Sequence, residues 1–211
     1  VPVAAPRVRV PSQPRALRTR AQLVDAAARE FSARGYAATT SKSIADRARA
    51  ATGSFYQYFA SKDVVLRELA ATRLARIAEA SRVLLDDADG RAAMSLEASR
   101  LRLRAVVELV MALHREDPAL HAVMTERRHA DPELEALWTA GERALVERIA
   151  VVLSRWGDGP DPLARAFVVF GMVEGSVHAH VLGTPVVSDE RFTAALVDAL
   201  LRIVGIAPPE S

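Results

Sequence analysis

The chain has 211 residues, 50% of them hydrophobic, a net charge of +2 and no cysteine. The missing thiols exclude disulfides, thiolate zinc sites and cysteine nucleophiles, and no apolar run approaches the roughly 20 residues that span a bilayer. Charge is uneven: residues 1–63 carry 11 Lys and Arg against four Asp and Glu, and the rest carries 17 against 22, so only the first quarter suits a polyanionic partner.

Residues 1–14, with four prolines and no helical period, are expected to be a disordered basic arm that includes Arg7 and Arg9; Arg15, Arg18 and Arg20 are read with it as solvated charges. A first helix is predicted over 15–33, where Leu23, Ala27 and Phe31 recur at i, i+4 and i+8 and Gly35 stops the helix. Thr39 or Thr40 caps a short second helix through Ala48. A tight turn leads to a third, over 52–58. Ser61 caps a long fourth helix to about 85, with Leu66, Ala70, Leu74, Ile77 and Leu84 in helical register. Residues 86–90 break it, and a fifth helix is predicted over 92–114. Asp117-Pro118, Asp131-Pro132 and Asp161-Pro162 share one start signal. Asp accepts bonds from the free amides of the first turn, and Pro suits a position whose N–H would have no partner. Helices over 118–130, 132–156 and 162–182 follow, with a loop at Gly157-Asp158-Gly159-Pro160 before the last of these. Ser188 caps a ninth, ended by Gly205. No segment alternates with a period of two, so no sheet is expected.

Two short helices joined by a tight turn inside the basic region make a helix-turn-helix pattern, whose second helix enters the DNA major groove. The third helix divides accordingly. Phe55 and Phe59 pack inward with Ile44 and Ala45, leaving Thr52, Gly53, Ser54, Tyr56, Gln57 and Tyr58 for DNA. Gly53 permits close backbone approach to a phosphate, and Gln57 suits an adenine edge. Thr40 offers a hydroxyl and a backbone N–H to a phosphate. Lys42 and Lys62, the only lysines, flank the unit.

The stretch from Arg18 to Leu66 resembles the DNA-binding domain of the tetracycline-repressor (TetR) family through Ala26-Ala27, Phe31, Gly35-Tyr36, Thr39-Thr40, Ile44-Ala45, Ala48, Gly53, Phe55-Tyr56, Tyr58-Phe59 and Ser61-Lys62-Asp63. The resemblance implies an all-α fold of about nine helices: an N-terminal three-helix DNA-binding domain at 15–60 and a helical ligand-binding and dimerisation bundle at 61–211. It also implies repression, with Thr40, Tyr56, Tyr58 and Lys62 on phosphates and residues 52, 53 and 57 nearest the bases. Three positions depart from the pattern. Arg49 stands where the family has the turn glycine, Ala51 where it has the capping serine, and Ser41 where it commonly has an apolar residue. A substitute cap from Thr52 and an added phosphate contact from Arg49 are expected, together with a recognition unit held loosely until DNA binds.

In the remaining chain, Met94, Leu103, Val107, Met111, His114, Met124, Trp138, Phe167, Phe170 and Glu174 are candidates to line an apolar pocket for a small-molecule effector. Gly171, Gly175 and Ala179, facing Phe192, Leu196 and Leu200, are candidates for a homodimer seam in a four-helix arrangement, which would present two recognition helices to half-sites about 34 Å apart. Glu174 and His178 stand four apart on one helix, but two residues make no site, so no metal is expected, and no cofactor. Catalytic motifs are absent. The expectation is a cytoplasmic, non-enzymatic regulator with double-stranded operator DNA as partner and no membrane association. An activator of the same fold, or a DNA-independent helical binding module, is the alternative.

Overall fold

The computed structural model describes residues 13–86, 95–156 and 160–205. Arg7, Arg9, Met94 and the loop at 157–159 lie outside them. The described residues form nine helices and no strand: α1 (Pro14–Ala38), α2 (Ser41–Arg47), α3 (Thr52–Tyr58), α4 (Lys62–Asp86), α5 (Leu96–Arg115), α6 (Pro118–Arg128), α7 (Pro132–Trp156), α8 (Pro162–Leu182) and α9 (Asp189–Val204).

Local chemistry sets most of the ends. Gly35 takes φ 71° and ψ 176° and kinks α1, which continues to Ala38 beyond the expected stop. Only glycine reaches that backbone region without strain. Asp117 and Asp161 accept bonds from the amides of Leu120 (2.9 Å) and Ala164 (3.0 Å). Asp131 does the same for Glu133 (3.1 Å) and Leu134 (3.2 Å), as the Asp-Pro pattern requires. Two boundaries differ from expectation. Helix α1 already begins at Pro14, so Arg15, Arg18 and Arg20 are helical residues and not part of an arm. Helix α5 begins at Leu96, because Ser95 is extended and accepts from Ala98 N at 3.1 Å.

The chain forms two compact units. The first comprises the described residues up to Leu74 and Asp117–Trp138. Its core holds Leu23, Phe31, Ile44, Phe55, Phe59, Leu66, Met124 and Leu134. This unit extends past residue 60, where the motif suggested a boundary, because α6 and the start of α7 fold onto α1 and α4. Asp117 at the head of α6 accepts from Ser32 Oγ on α1 (2.7 Å). Arg67 on α4 donates to Asp131 at the head of α7 (2.8 Å) and also pairs with Glu133. The second unit comprises Ala75–Glu116 and residues from Thr139 onward. Its core is aliphatic: Val107, Val177 and Leu200 are fully buried, among Leu103, Met111, Leu153, Ala166 and Val204.

Asp131 is 4% exposed and holds two elements at once. Burial by itself would raise its carboxyl, but the Arg67 hydrogen bond and the amides of Leu134 and Glu133 outweigh that and hold it below the ordinary 3.8. The folded state therefore binds this proton less readily than the unfolded chain. The resulting stability is complete above about pH 4 and is lost as pH falls toward the depressed folded value. Asp131→Ala is expected to cost about 2–3 kcal/mol, a lost cap plus a lost charge-assisted bond to Arg67, in urea unfolding at neutral pH. The variant should show a shallower loss of stability below about pH 4 than the parent chain.

Candidate nucleic-acid interface

Helix α3 has seven residues, too few to be stable alone, and it is held by one face. Phe55, Tyr58 and Phe59, at i, i+3 and i+4, are buried; the rings of Phe55 and Phe59 lie 5.7 Å apart. They share the core with Leu23, Ala27 and Phe31 of α1 and with Ile44 and Ala45 of α2. The opposite face carries Gly53, Tyr56 and Gln57, also at i, i+3 and i+4, and all three are exposed. Thr52 and Ser54 are half-buried beside them. Tyr58, read from sequence as facing DNA, is only 8% exposed. Its spacing from Phe55 places its ring in the core, so it does not belong with the outward set.

The turn between α2 and α3 closes by two bonds, from Ala50 N to Ala45 O (2.9 Å) and from Arg49 N to Asp46 O (3.1 Å). This is the Schellman pattern, which needs a left-handed residue after the cap. That residue is Arg49, at φ 54°. The turn thus keeps its shape without glycine, and the Arg49 side chain is exposed next to α3. Ala51 precedes α3 with no side-chain bond to its amides, and Thr52, the first helical residue, does not replace the missing cap.

Helix α2 starts differently. Thr40 Oγ1 accepts from Ser43 N (3.0 Å) and Ser43 Oγ accepts from Thr40 N (3.0 Å). This reciprocal box already uses the Thr40 backbone N–H that was assigned to a phosphate, and only its exposed hydroxyl remains on offer. Thr40-x-x-Ser43 is a capping box with serine in place of the usual Glu or Gln, which is the signal that sequence reading passed over. Lys42 is exposed and pairs with Asp46 at 2.7 Å.

Lys62 has a structural role. Its Nζ donates to Tyr36 O and Thr39 O (both 2.7 Å) and lies 4.0 Å from the centre of the Tyr36 ring. Burial pushes its pKa down. The Tyr36 ring also meets Arg127, whose guanidinium carbon is 4.0 Å from the ring centre. The Tyr36 hydroxyl donates to Asp63. Burial, then the bond to Asp63 and its charge, push the Tyr36 phenol up to about 12. Lys62 thus ties the C-terminal end of α1 to α4, with a single N–H left for any phosphate. Arg20 is also engaged: it forms a two-bond pair with Glu68 and sits 4.9 Å from the centre of the Phe59 ring.

The pocket candidates do not converge. Met124 and Trp138 belong to the core of the first unit, because α6 and the first turns of α7 pack there. Leu103, Val107, Met111 and Phe170 belong to the core of the second. Phe167 is 68% exposed. His114 is buried and Glu174 half-buried. An open groove of about 690 Å³ along α5 and α9 shares only Met111 with the candidate set, and its rim carries Arg104, Arg115, Glu116 and Asp189. The seam candidates divide as well. Gly171, Gly175 and Ala179 are exposed on α8, and a Cβ added at either glycine would meet nothing within 4 Å. Leu196 and Leu200 are buried in their own unit's core, and Phe192 stacks on His180 at 4.1 Å.

A family model described as bacterial regulatory proteins, tetR family, matches residues 23–69, and one described as tetracyclin repressor-like, C-terminal domain, matches residues 100–202. No curated protein sequence matches the chain. Similar solved structures include a protein from Mesorhizobium loti assigned to the TetR-family transcriptional regulators (19% identity, 90% of this chain and 98% of that one, TM-score 0.73). SmeT, the repressor of the Stenotrophomonas maltophilia multidrug efflux pump SmeDEF, is also similar (21%, 91% and 94%, 0.65). So is the transcriptional regulator FadR of Bacillus subtilis in complex with stearoyl-CoA (20%, 89% and 99%, 0.62).

The turn and the bare start of α3 are weak points that single changes should repair. Arg49→Gly relieves a positive φ worth about 1 kcal/mol, and Ala51→Ser adds a cap worth about 1 kcal/mol. Each should raise the melting temperature by about 2–4 °C in scanning calorimetry. Hydrogen exchange of amides 52–58 should slow most in Ala51→Ser.

Proposed function

Because the chain belongs to the TetR family of bacterial regulatory proteins, and is thereby a DNA-binding transcriptional regulator, we propose that it is a homodimeric repressor released from its operator by a small-molecule effector. The observation that carries the DNA-reading part is the two-faced α3: Phe55, Tyr58 and Phe59 inside, Gly53, Tyr56 and Gln57 outside. In this reading α3 lies in the major groove. Gln57 addresses a base edge, Gly53 allows the backbone close to a phosphate, and Tyr56, Thr40, Lys42 and Arg49 bind phosphates. Thr52 and Ser54 stand at the N-terminal end of the same helix, which is the end that recognition helices present to bases.

The exposed apolar face of α8 supports the dimer. Phe167 is 68% and Val168 48% exposed, and Gly171, Gly175 and Ala179 continue that side of the helix. Small residues let a second helix approach closely, and such a patch on a monomer needs a cover. No described helix is long and apolar enough to cross a membrane. For the effector, Leu103, Val107, Met111, Phe170, His114 and Glu174 are the candidates that remain buried or half-buried in the second unit, and Phe167 lies there exposed. Helices α4 and α7 each begin in one unit and end in the other, so they are the natural carriers of a coupling that must be reciprocal between effector and operator.

Two measurements test this reading. Selection of genomic fragments with the purified chain should recover an operator whose binding weakens steeply with salt, since each neutralised phosphate releases counterions. Gln57→Ala should cost about 1–3 kcal/mol on that operator and relax discrimination at one base pair. Arg49→Ala should weaken all duplexes alike. A salt-independent affinity would contradict the proposal. Separately, Gly175→Glu should leave the subunit's helicity unchanged, because a Cβ there meets nothing within 4 Å, but should shift sedimentation from dimer to monomer and abolish operator binding.

A further inference from the structure

We infer that the groove along α5 and α9 binds an organic ammonium ion with an apolar body, at a site that shares only Met111 with the effector candidates. Its volume of about 690 Å³ suits a small organic molecule, and every residue that lines it belongs to the second unit. On α5 the lining positions 104, 108, 111, 112 and 115 recur at helical spacing and form one stripe. Met111 and Thr193 are each 3% exposed and make the floor, with exposed Ala112 next to Met111. A flexible, polarisable methionine there adapts to the shape of an apolar group.

Two observations set the chemistry of the occupant. The first is the Thr193 hydroxyl, which donates to Met111 Sδ at 3.7 Å. A thioether is a weak acceptor, and no described residue donates to the Thr193 oxygen in return. A buried hydroxyl so poorly satisfied favours a ligand that brings a donor, and an ammonium N–H is one. The second is the charge of the rim. Four carboxylates and two guanidiniums line the groove. Arg104 pairs with Glu108 (2.8 Å), Arg115 with Asp189 (2.8 Å), and Glu116 with Arg76 (2.7 Å). Asp189 is held further by His180 Nε2 at 2.9 Å. Glu190, exposed in the first turn of α9, makes no ion pair or hydrogen bond among the described residues. An anion would have to break an existing pair to reach Arg104 or Arg115. A cation meets Glu190 without a competitor, so the groove selects positive charge.

The test is titration calorimetry of the full chain with three probes that differ only at one end: phenylbutylammonium, phenylbutanol and phenylbutyrate. The ammonium should bind saturably at about one per chain, more tightly than the alcohol and far more tightly than the carboxylate. Glu190→Gln should weaken the ammonium roughly threefold, the effect of one exposed ion pair, and leave the alcohol unchanged. Ala112→Trp should fill the groove and abolish binding of both. Both substitutions are at exposed positions, so helical circular dichroism should not change. Absence of ammonium binding, or an alcohol or carboxylate that binds as tightly, would overturn the inference. So would ammonium binding that survives Ala112→Trp, which would place the probe elsewhere in the chain, or that is indifferent to Glu190→Gln. None of these readouts involves DNA, so the site stands or falls separately from the operator-binding reading.

Discussion

The first unit depends on the burial of three aromatic side chains, two from a helix too short to exist by itself and Phe59 from the cap that follows it. Seven residues make fewer than two turns beyond the nucleus, and helix formation at that length is unfavourable in water. Phe55, Tyr58 and Phe59 supply what the backbone does not. Each large side chain taken out of water contributes about 1.5–3 kcal/mol, and together they fix both the position and the rotation of α3. Rotation matters most. With period 3.6, burying positions 55 and 58 obliges 53, 56 and 57 to face outward. Packing and presentation are therefore one event, and any change that loosens the Phe31–Phe55–Phe59 cluster also disturbs the outward face.

The surrounding polar ties serve the same end. Glu30, 4% exposed on α1, takes Arg47 of α2 at 2.5 Å and Arg34 at 3.4 Å. Burial opposes its charge, but those arginines and Ser43 hold its carboxyl below the usual value. Lys62, between the carbonyls of Tyr36 and Thr39, does similar work at the kink made by Gly35. Its charge satisfies carbonyl groups that the interrupted helix leaves without intrahelical partners. A lysine that sequence similarity places on DNA is thus largely committed to holding its own chain. The tolerance of Arg49 at the turn follows the same logic. The Schellman bonds and the packing of Ala48 and Ala50 against the core over-determine the backbone there, so the residue accepts a positive φ at a cost of about 1–2 kcal/mol.

In the second unit the core is aliphatic, and the ties between helices are electrostatic. His180 stacks on Phe192 while its Nε2 lies 2.9 Å from Asp189 Oδ1, and Asp189 also takes Arg115 of α5 at 2.8 Å. The bond to His180, then that to Arg115, lower the Asp189 pKa. Three helices meet through one exposed carboxylate, which orients α9 more than it stabilises it, since pairs in water contribute little. Polar groups between apolar helices can set register where interchangeable aliphatic contacts cannot.

Helix number and most boundaries were legible in the amino-acid order because the devices that decide them are local. Asp-Pro starts, Ser61 and Ser188 caps, the Gly35 kink and the Gly205 stop act within a turn of themselves. The stripe of Leu23, Ala27 and Phe31 is a property of one helix. The inward role of Tyr58 was legible in its i+3 spacing from Phe55, whereas the commitment of Lys62 to carbonyls and the scatter of the pocket candidates across two cores were decided only by the tertiary fold. Both of the latter depend on partners more than 15 residues away, and the helical period does not say which of two cores a buried face joins. The same is true of His114 beside Glu174 and His178. Only the packing of α5 against α8 brings these side chains, about 60 residues apart in the chain, next to one another.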